Sequence, residues 1–328
     1  MALKLPDDQK GLSRWTVRFA LFSAALAAFA VVAHRLFAMP TPVALNIGKA
    51  ALGGAALALL FGIASSLRIW QRGTGGGIAT LFGMIVAGGL IAWPATLLPI
   101  MRSLPRINDI TTDVVAPPRF ISLAKARAPG ANSINYPGEG FATDQLKAYP
   151  DIRTFQVDRS AEEAYELVLA ALRSKTMKFK PVSEEPPKGR VGQPGWIEVV
   201  DRTLVLGFTD DVIIRVDGDA TSARIDVRSA SRYGTHDLGR NAQRVRRILK
   251  EIQAQLEATM PAADGTRVAR LKGRGAKALV PKRLKDADQT SAARRNAQDR
   301  AKSDTQRAPG QRERLPSRDA RQAPGTRG

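Results

Sequence analysis

Three long apolar stretches dominate the first hundred residues, and their pattern predicts helices without a polar face. They run over about 15–37, 50–70 and 78–101. Each supplies the ~20 residues that a helix needs to cross ~30 Å of hydrocarbon. A helix on a globular core would keep one polar side. Here the polar residues gather at the ends: Arg14 and Arg18, His34 and Arg35, Lys49, Arg68 and Arg72, then Arg102 and Arg106. Trp15, Trp70 and Trp93 stand near the same ends, where indole favours the membrane interface. Residues 1–101 therefore read as a multi-pass membrane module whose partner is the lipid bilayer. The segment after the first span, His34-Arg35-Leu36-Phe37-Ala38-Met39-Pro40, is a poor cleavage sequence, so that span reads as an anchor. The spans hold no Asp or Glu, which argues against an ion or proton pathway. Gly83 and Ala87 form a small-xxx-small pair suited to close helix packing, within the chain or between copies.

Pro94, Pro99 and Pro105 end the third span, and residues 102–150 show little periodicity. Their Pro117-Pro118, Pro129-Gly130 and Pro137-Gly138 pairs mark turns, so this stretch reads as an irregular linker and domain lead-in. From Asp151 the pattern changes. Residues 152–157 predict a strand. Ser160-Ala161-Glu162-Glu163 is a capping box that opens a helix to about 173. A strand follows at 177–182 and a loop at 184–195, then strands at 196–202, 203–208 and 211–216. Asp217-Gly218-Asp219 reads as a hairpin turn into a partner strand at 223–230. A last helix spans about 239–258, with Ala242, Val245, Leu249, Ile252 and Leu256 at three-and-four spacing. This order predicts an α+β domain over 151–260, an antiparallel sheet with helices packed on one face. Along the last hairpin, Val212, Ile214 and Val216 alternate with Ile213 and Arg215. Ile225 and Val227 alternate with Arg224, Asp226 and Arg228. The aliphatic set is expected against a helix and the charged set toward solvent or a ligand.

Charge changes the picture only in the tail. The chain carries 50 Lys and Arg against 30 Asp and Glu, but 18 of the basic and only 7 of the acidic side chains fall in 262–328. Residues 261–328 are poor in apolar side chains and read as a disordered basic tail. Such a tail suits anionic lipid or another polyanion. Its basic residues are not interleaved with aromatic ones, which argues against nucleic acid as a partner. Zero cysteine excludes disulfides, thiol nucleophiles and thiolate metal sites, and the two histidines, His34 and His236, are far apart. No metal and no cofactor is expected.

Three runs carry a family likeness: Thr209-Asp210-Asp211-Val212, then Arg228-Ser229-Ala230-Ser231-Arg232-Tyr233-Gly234, then Asp237-Leu238-Gly239-Arg240-Asn241 with Arg244. Upstream, Asp109-Ile110-Thr111-Thr112-Asp113, Pro117-Pro118 and Tyr149-Pro150-Asp151-Ile152 belong to the same pattern. Over about 107–257 the chain resembles membrane-anchored bacterial members of the domain of unknown function 1499. Many members have a cysteine near the domain start, where this chain has Asn132-Ser133-Ile134-Asn135. The resemblance implies a domain and no reaction.

The candidate residues are Asp210, Asp211, Arg228, Ser229, Ser231, Arg232, His236, Asp237, Asn241 and Arg244. In one reading, Asp210 and Asp211 pair with Arg228, Arg232 or Arg244 and fix the corner where Asp237 caps the last helix. In a second, arginines beside that helix start receive a carboxylate or phosphate. In a third, a hydrolase uses the region of Asp210, Asp211, Arg228 and His236. However, His236 and Asp237 are adjacent in sequence, and neighbouring strand residues such as Asp210 and Asp211 face opposite ways. A non-enzymatic module that binds a ligand or an envelope partner is the preferred expectation. The basic flanks favour a cytoplasmic N-terminus. Three spans then put the C-terminal domain in the periplasm of a bacterium, anchored in the inner membrane.

Overall fold

The computed structural model describes residues 11–73 and 75–259. The expected tail, with its lipid or polyanion contacts, lies outside them, as do Lys4 and Lys10, which weigh in the orientation. Three helices are each long and apolar enough to cross a membrane: α1 (Gly11–Leu36), α2 (Thr41–Arg72) and α3 (Gly77–Ala95), the last carried on to Ser103 by the short α4 (Leu98–Ser103). The second is longer than its apolar pattern suggests, because Thr41 to Lys49 is helix and not loop.

Small residues set the packing of this bundle. Ala20, Ala55, Ala58 and Ala87 form its buried centre. A Cβ added to Gly83 would stand 2.9 Å from Thr16 Cγ2 and 3.1 Å from backbone atoms of Thr16 and Val17, so α1 and α3 touch backbone to backbone there. Gly83 and Ala87 thus serve packing within the chain. At one end of the bundle the Ser13 hydroxyl donates to the Gly76 carbonyl (2.9 Å), Thr80 donates to Ser13 (3.0 Å), and Ser65 and Thr80 are bonded at 2.9 Å. Such a ladder satisfies hydroxyls that have no water to turn to.

The remainder is an α+β domain. Its elements, in chain order, are β1 (Asp109–Thr111), α5 (Ser122–Lys125), α6 (Glu139–Ala148), β2 (Phe155–Val157), α7 (Ala161–Arg173), β3 (Pro181–Glu185), β4 (Gly195–Arg202), β5 (Thr209–Gly218), β6 (Ala223–Ser231) and α8 (Arg240–Thr259). All pairings are antiparallel. The sheet order is β1-β6-β5-β4-β3, and β2 also pairs with β6. β1 and β2 lie end to end along one edge of β6: Asp109 faces Ala230, and Phe155 faces Ile225. The Ser160 hydroxyl accepts the Glu163 amide at 3.2 Å and starts α7, as the capping box requires. α7 and α8 pack on the face that carries Val212, Ile214, Val216, Ile225 and Val227, all buried.

Three expectations need correction. Residues 203–208 form no strand but a closed turn between β4 and β5, in which the Thr203 amide donates to the Phe208 carbonyl (2.9 Å). The strand expected at 177–182 begins later, as β3. Of the charged set of the last hairpin, Arg224 faces solvent as expected, but Asp226 and Arg228 do not. The stretch that joins β1 to α6 covers the second sheet face, packing Phe120 and Leu123 on Ile213 and Ala230. Asp226 is fully buried and Arg228 nearly so.

Candidate functional site

The pleat of β5 and β6 divides the candidate residues into two groups on opposite sheet faces. Asp210, Ser229 and Ser231 point toward α8. Asp211, Arg228 and Arg232 point toward the covering stretch. No common cavity gathers Arg228, Arg232 and Arg244.

On the helix side Arg244, buried in α8, donates from Nη2 to Asp210 (2.6 Å) and from Nε to Asp201 (2.7 Å). Its Nη1 donates to the Ser229 hydroxyl (2.9 Å) and to Asn241 Oδ1 (2.6 Å). Ser229 donates to the same Oδ1 at 2.8 Å, and Asn241 Nδ2 donates to Ser231 Oγ and to the Asn108 carbonyl, both at 2.9 Å. Asp237 accepts the amides of Gly239 (2.8 Å) and Asn241 (2.9 Å) and so caps the first turn of α8. Burial nevertheless holds its carboxyl above the ordinary value of 3.8, against those two bonds. Gly239 takes φ +76°, and a Cβ there would stand 2.9 Å from Leu104, so the entry to α8 needs glycine.

On the covered side Arg228 does not pair with Asp210 or Asp211. It pairs with Asp109 of β1 through two bonds, Nε to Oδ1 (3.0 Å) and Nη2 to Oδ2 (2.6 Å). Its other donors reach the carbonyls of Pro118 (2.9 Å) and Ile134 (2.8 Å), and the guanidinium lies 4.8 Å from the Phe120 ring centre. The Asp109 carboxyl is pushed up by burial, and Arg228 only partly offsets this. Asp211 is held by Arg127 (2.9 Å) and Arg232 (2.8 Å). Arg215 joins Asp226 (2.6 Å) to Asp113 (2.9 Å). Buried Glu198 accepts the amides of Ile121, Ser122 and Leu123 at 2.6–3.1 Å and caps α5.

The residues of a nucleophilic triad are not brought together. Ser231 Oγ is engaged by Asn241, and His236 Nδ1 accepts the Leu238 amide at 2.9 Å. The sequence reading missed Asp109, Arg127, Asp201 and Glu198 as partners. A signal existed for the first, because Asp109 opens the Asp-Ile-Thr-Thr-Asp run that carried the family likeness. Beside the Asp109 pair lies a small open concavity of about 180 Å³, lined by Asn108, Asp109, Asn132, Ser133, Asn135, Pro137, Ala230 and Ser231. Among the described residues no cluster of His, Asp and Glu could hold a metal ion.

Residues 109–252 match the sequence model of a family described as protein of unknown function (DUF1499). No curated protein and no solved structure matches the chain.

Proposed function

We propose, from the premise that residues 109–252 are a domain of the DUF1499 family, that this chain is a membrane-anchored envelope module that works by binding and not by breaking bonds. One observation carries this reading. The charged motif side chains are engaged inside the fold: Arg228 with Asp109, Arg232 and Arg127 with Asp211, Arg244 with Asp210 and Asp201, and Asp237 with the start of α8. A general acid or base must reach a substrate proton directly or through one water, and these groups are already taken. The concavity beside them is lined mainly by neutral amides and hydroxyls. It suits one small group that carries hydroxyl or amide functions, such as an N-acetylated sugar ring or a short stretch of peptide backbone.

The test uses the full-length chain in detergent, with millimolar N-acetylglucosamine and alanyl-alanine as probes. Thermal unfolding should shift upward with one of them, and the shift should vanish in Asn135→Trp, whose indole fills the concavity from an exposed position. An equal shift in the variant would put the binding elsewhere. No shift with either probe would overturn the ligand class, and cleavage of the dipeptide would overturn the binding-only reading.

A further inference from the structure

We infer that the tip of the β4–β5 hairpin is a second membrane contact of this chain, seated in the interfacial layer of the leaflet where α1 ends. The tip reads Thr203-Leu204-Val205-Leu206-Gly207-Phe208. Its closure is local. The Thr203 amide donates to the Phe208 carbonyl (2.9 Å), the Phe208 amide to Thr203 Oγ1 (2.9 Å), and the Gly207 amide to the Thr203 carbonyl (3.1 Å). Gly207 takes φ +72°, which a side chain would resist. This turn holds Leu204 82% and Val205 62% exposed, with no protein surface over them.

The height of the tip along the bundle is fixed by contacts with the last turn of α1. His34 Nδ1 lies 2.7 Å from the Leu206 carbonyl, and Arg35 Nη1 donates to the Thr203 carbonyl at 3.0 Å. A carbonyl only accepts, so His34 donates from Nδ1, and its Nε2 lies 2.9 Å from the Thr41 hydroxyl. The His34 ring also meets Phe208 edge to face. The next residues of the chain, Leu36 and Phe37, are 70% and 76% exposed.

A helix of 26 residues is ~39 Å long, so when it crosses ~30 Å of hydrocarbon its last turn stands in the headgroup layer. A leaflet at the level of His34, Leu36 and Phe37 is also at the level of Leu204 and Val205. Arg35 and exposed Arg202 flank the two aliphatic side chains, and long basic side chains of this kind reach for phosphates while their stems stay in apolar surroundings. The occupant of the tip is therefore the bilayer that α1 to α3 already cross. The contact would hold the domain down against the membrane at a point distant in sequence from the α4 tether.

The chain has no cysteine, so single cysteines can be placed in the full-length protein. Leu204→Cys and Val205→Cys probe the tip. Ser222→Cys is the control, exposed in the β5–β6 turn at the far end of the ten-residue β5, ~33 Å away. Each is labelled with an environment-sensitive fluorophore and reconstituted in vesicles of three parts phosphatidylcholine to one part phosphatidylglycerol. The two tip positions should give blue-shifted emission and lose most of it when spin-labelled lipid is added. The Ser222 position should give water-like emission and lose little. Water-like emission from both tip positions would overturn the inference. So would a blue shift that spin-labelled lipid does not quench, because protein would then cover the tip.

Discussion

Asp237 shows how one carboxylate can start a helix and still be uncomfortable when charged. It accepts two amides of the first turn of α8, yet burial keeps its carboxyl above the ordinary 3.8. A group whose folded value is raised binds its proton more readily in the folded state. Stability therefore falls as pH rises from near 3.8 through the folded value, and is flat above it. Asp237→Asn removes this titration and keeps one acceptor. The unfolding midpoint of wild type should fall relative to that of the variant as pH is raised through that window. A difference that grows toward acid would contradict it. The cap itself was legible in the sequence, because a cap and its amides are neighbours in the chain. The partner of Arg228 was not: Asp109 is 119 residues away, and no local pattern ranks one distant carboxylate above Asp210 and Asp211, which lie on the adjacent strand.

At the scale of elements, the second face of the sheet is closed by side chains that stand in for regular backbone pairing. Gln145 of α6 is fully buried and bonds Thr111 twice, accepting from its amide (3.0 Å) and donating to its carbonyl (2.7 Å), as a neighbouring strand would. Glu198 of β4 accepts three amides at the start of α5, a helix too short to stand alone. Glu198→Ala should remove hydrogen-exchange protection from Ile121 to Leu123 and leave α8 amides protected. Uniform loss across both would mean that Glu198 supports the whole fold. Ser160→Ala, which removes only the α7 cap, should cost about 1 kcal/mol in chemical denaturation. The helices and long strands were readable because their apolar periods are strong. The turn at 203–208 was misread because Leu204, Val205, Leu206 and Phe208 have the composition of a strand. Composition cannot tell burial in a sheet from exposure at a tip. The cover over 107–150 was unreadable because carboxylates and amides bonded to backbone leave no periodic trace.

The whole molecule places two features on opposite ends of the bundle. Ser13 bonds Gly76 at the turn between α2 and α3, whereas His34 and Arg35 at the other end of α1 meet the α+β domain. The start of α1 and the domain thus lie on opposite sides of a bilayer crossed by these helices. With a cytoplasmic N-terminus, a phosphatase fused after Thr259 should be active and a fluorescent protein that matures only in the cytoplasm should stay dark. The reverse pair of results would turn the topology over. The Asp109–Arg228 pair adds to the β1–β6 backbone pairing in tying the third span to the domain, since β1 follows α4 by only a few residues and Arg228 also grips the carbonyls of Pro118 and Ile134. If the motif is a lock and not a reaction centre, its members must be coupled energetically. The most direct measurement is a double-mutant cycle in the full-length chain, with Asp109→Ala and Arg228→Ala compared singly and together by reversible denaturation. Each single change should cost ~3–5 kcal/mol, because it strands a buried charge. The double should cost at least about 1 kcal/mol less than the sum. Additivity within ~0.5 kcal/mol would contradict the lock.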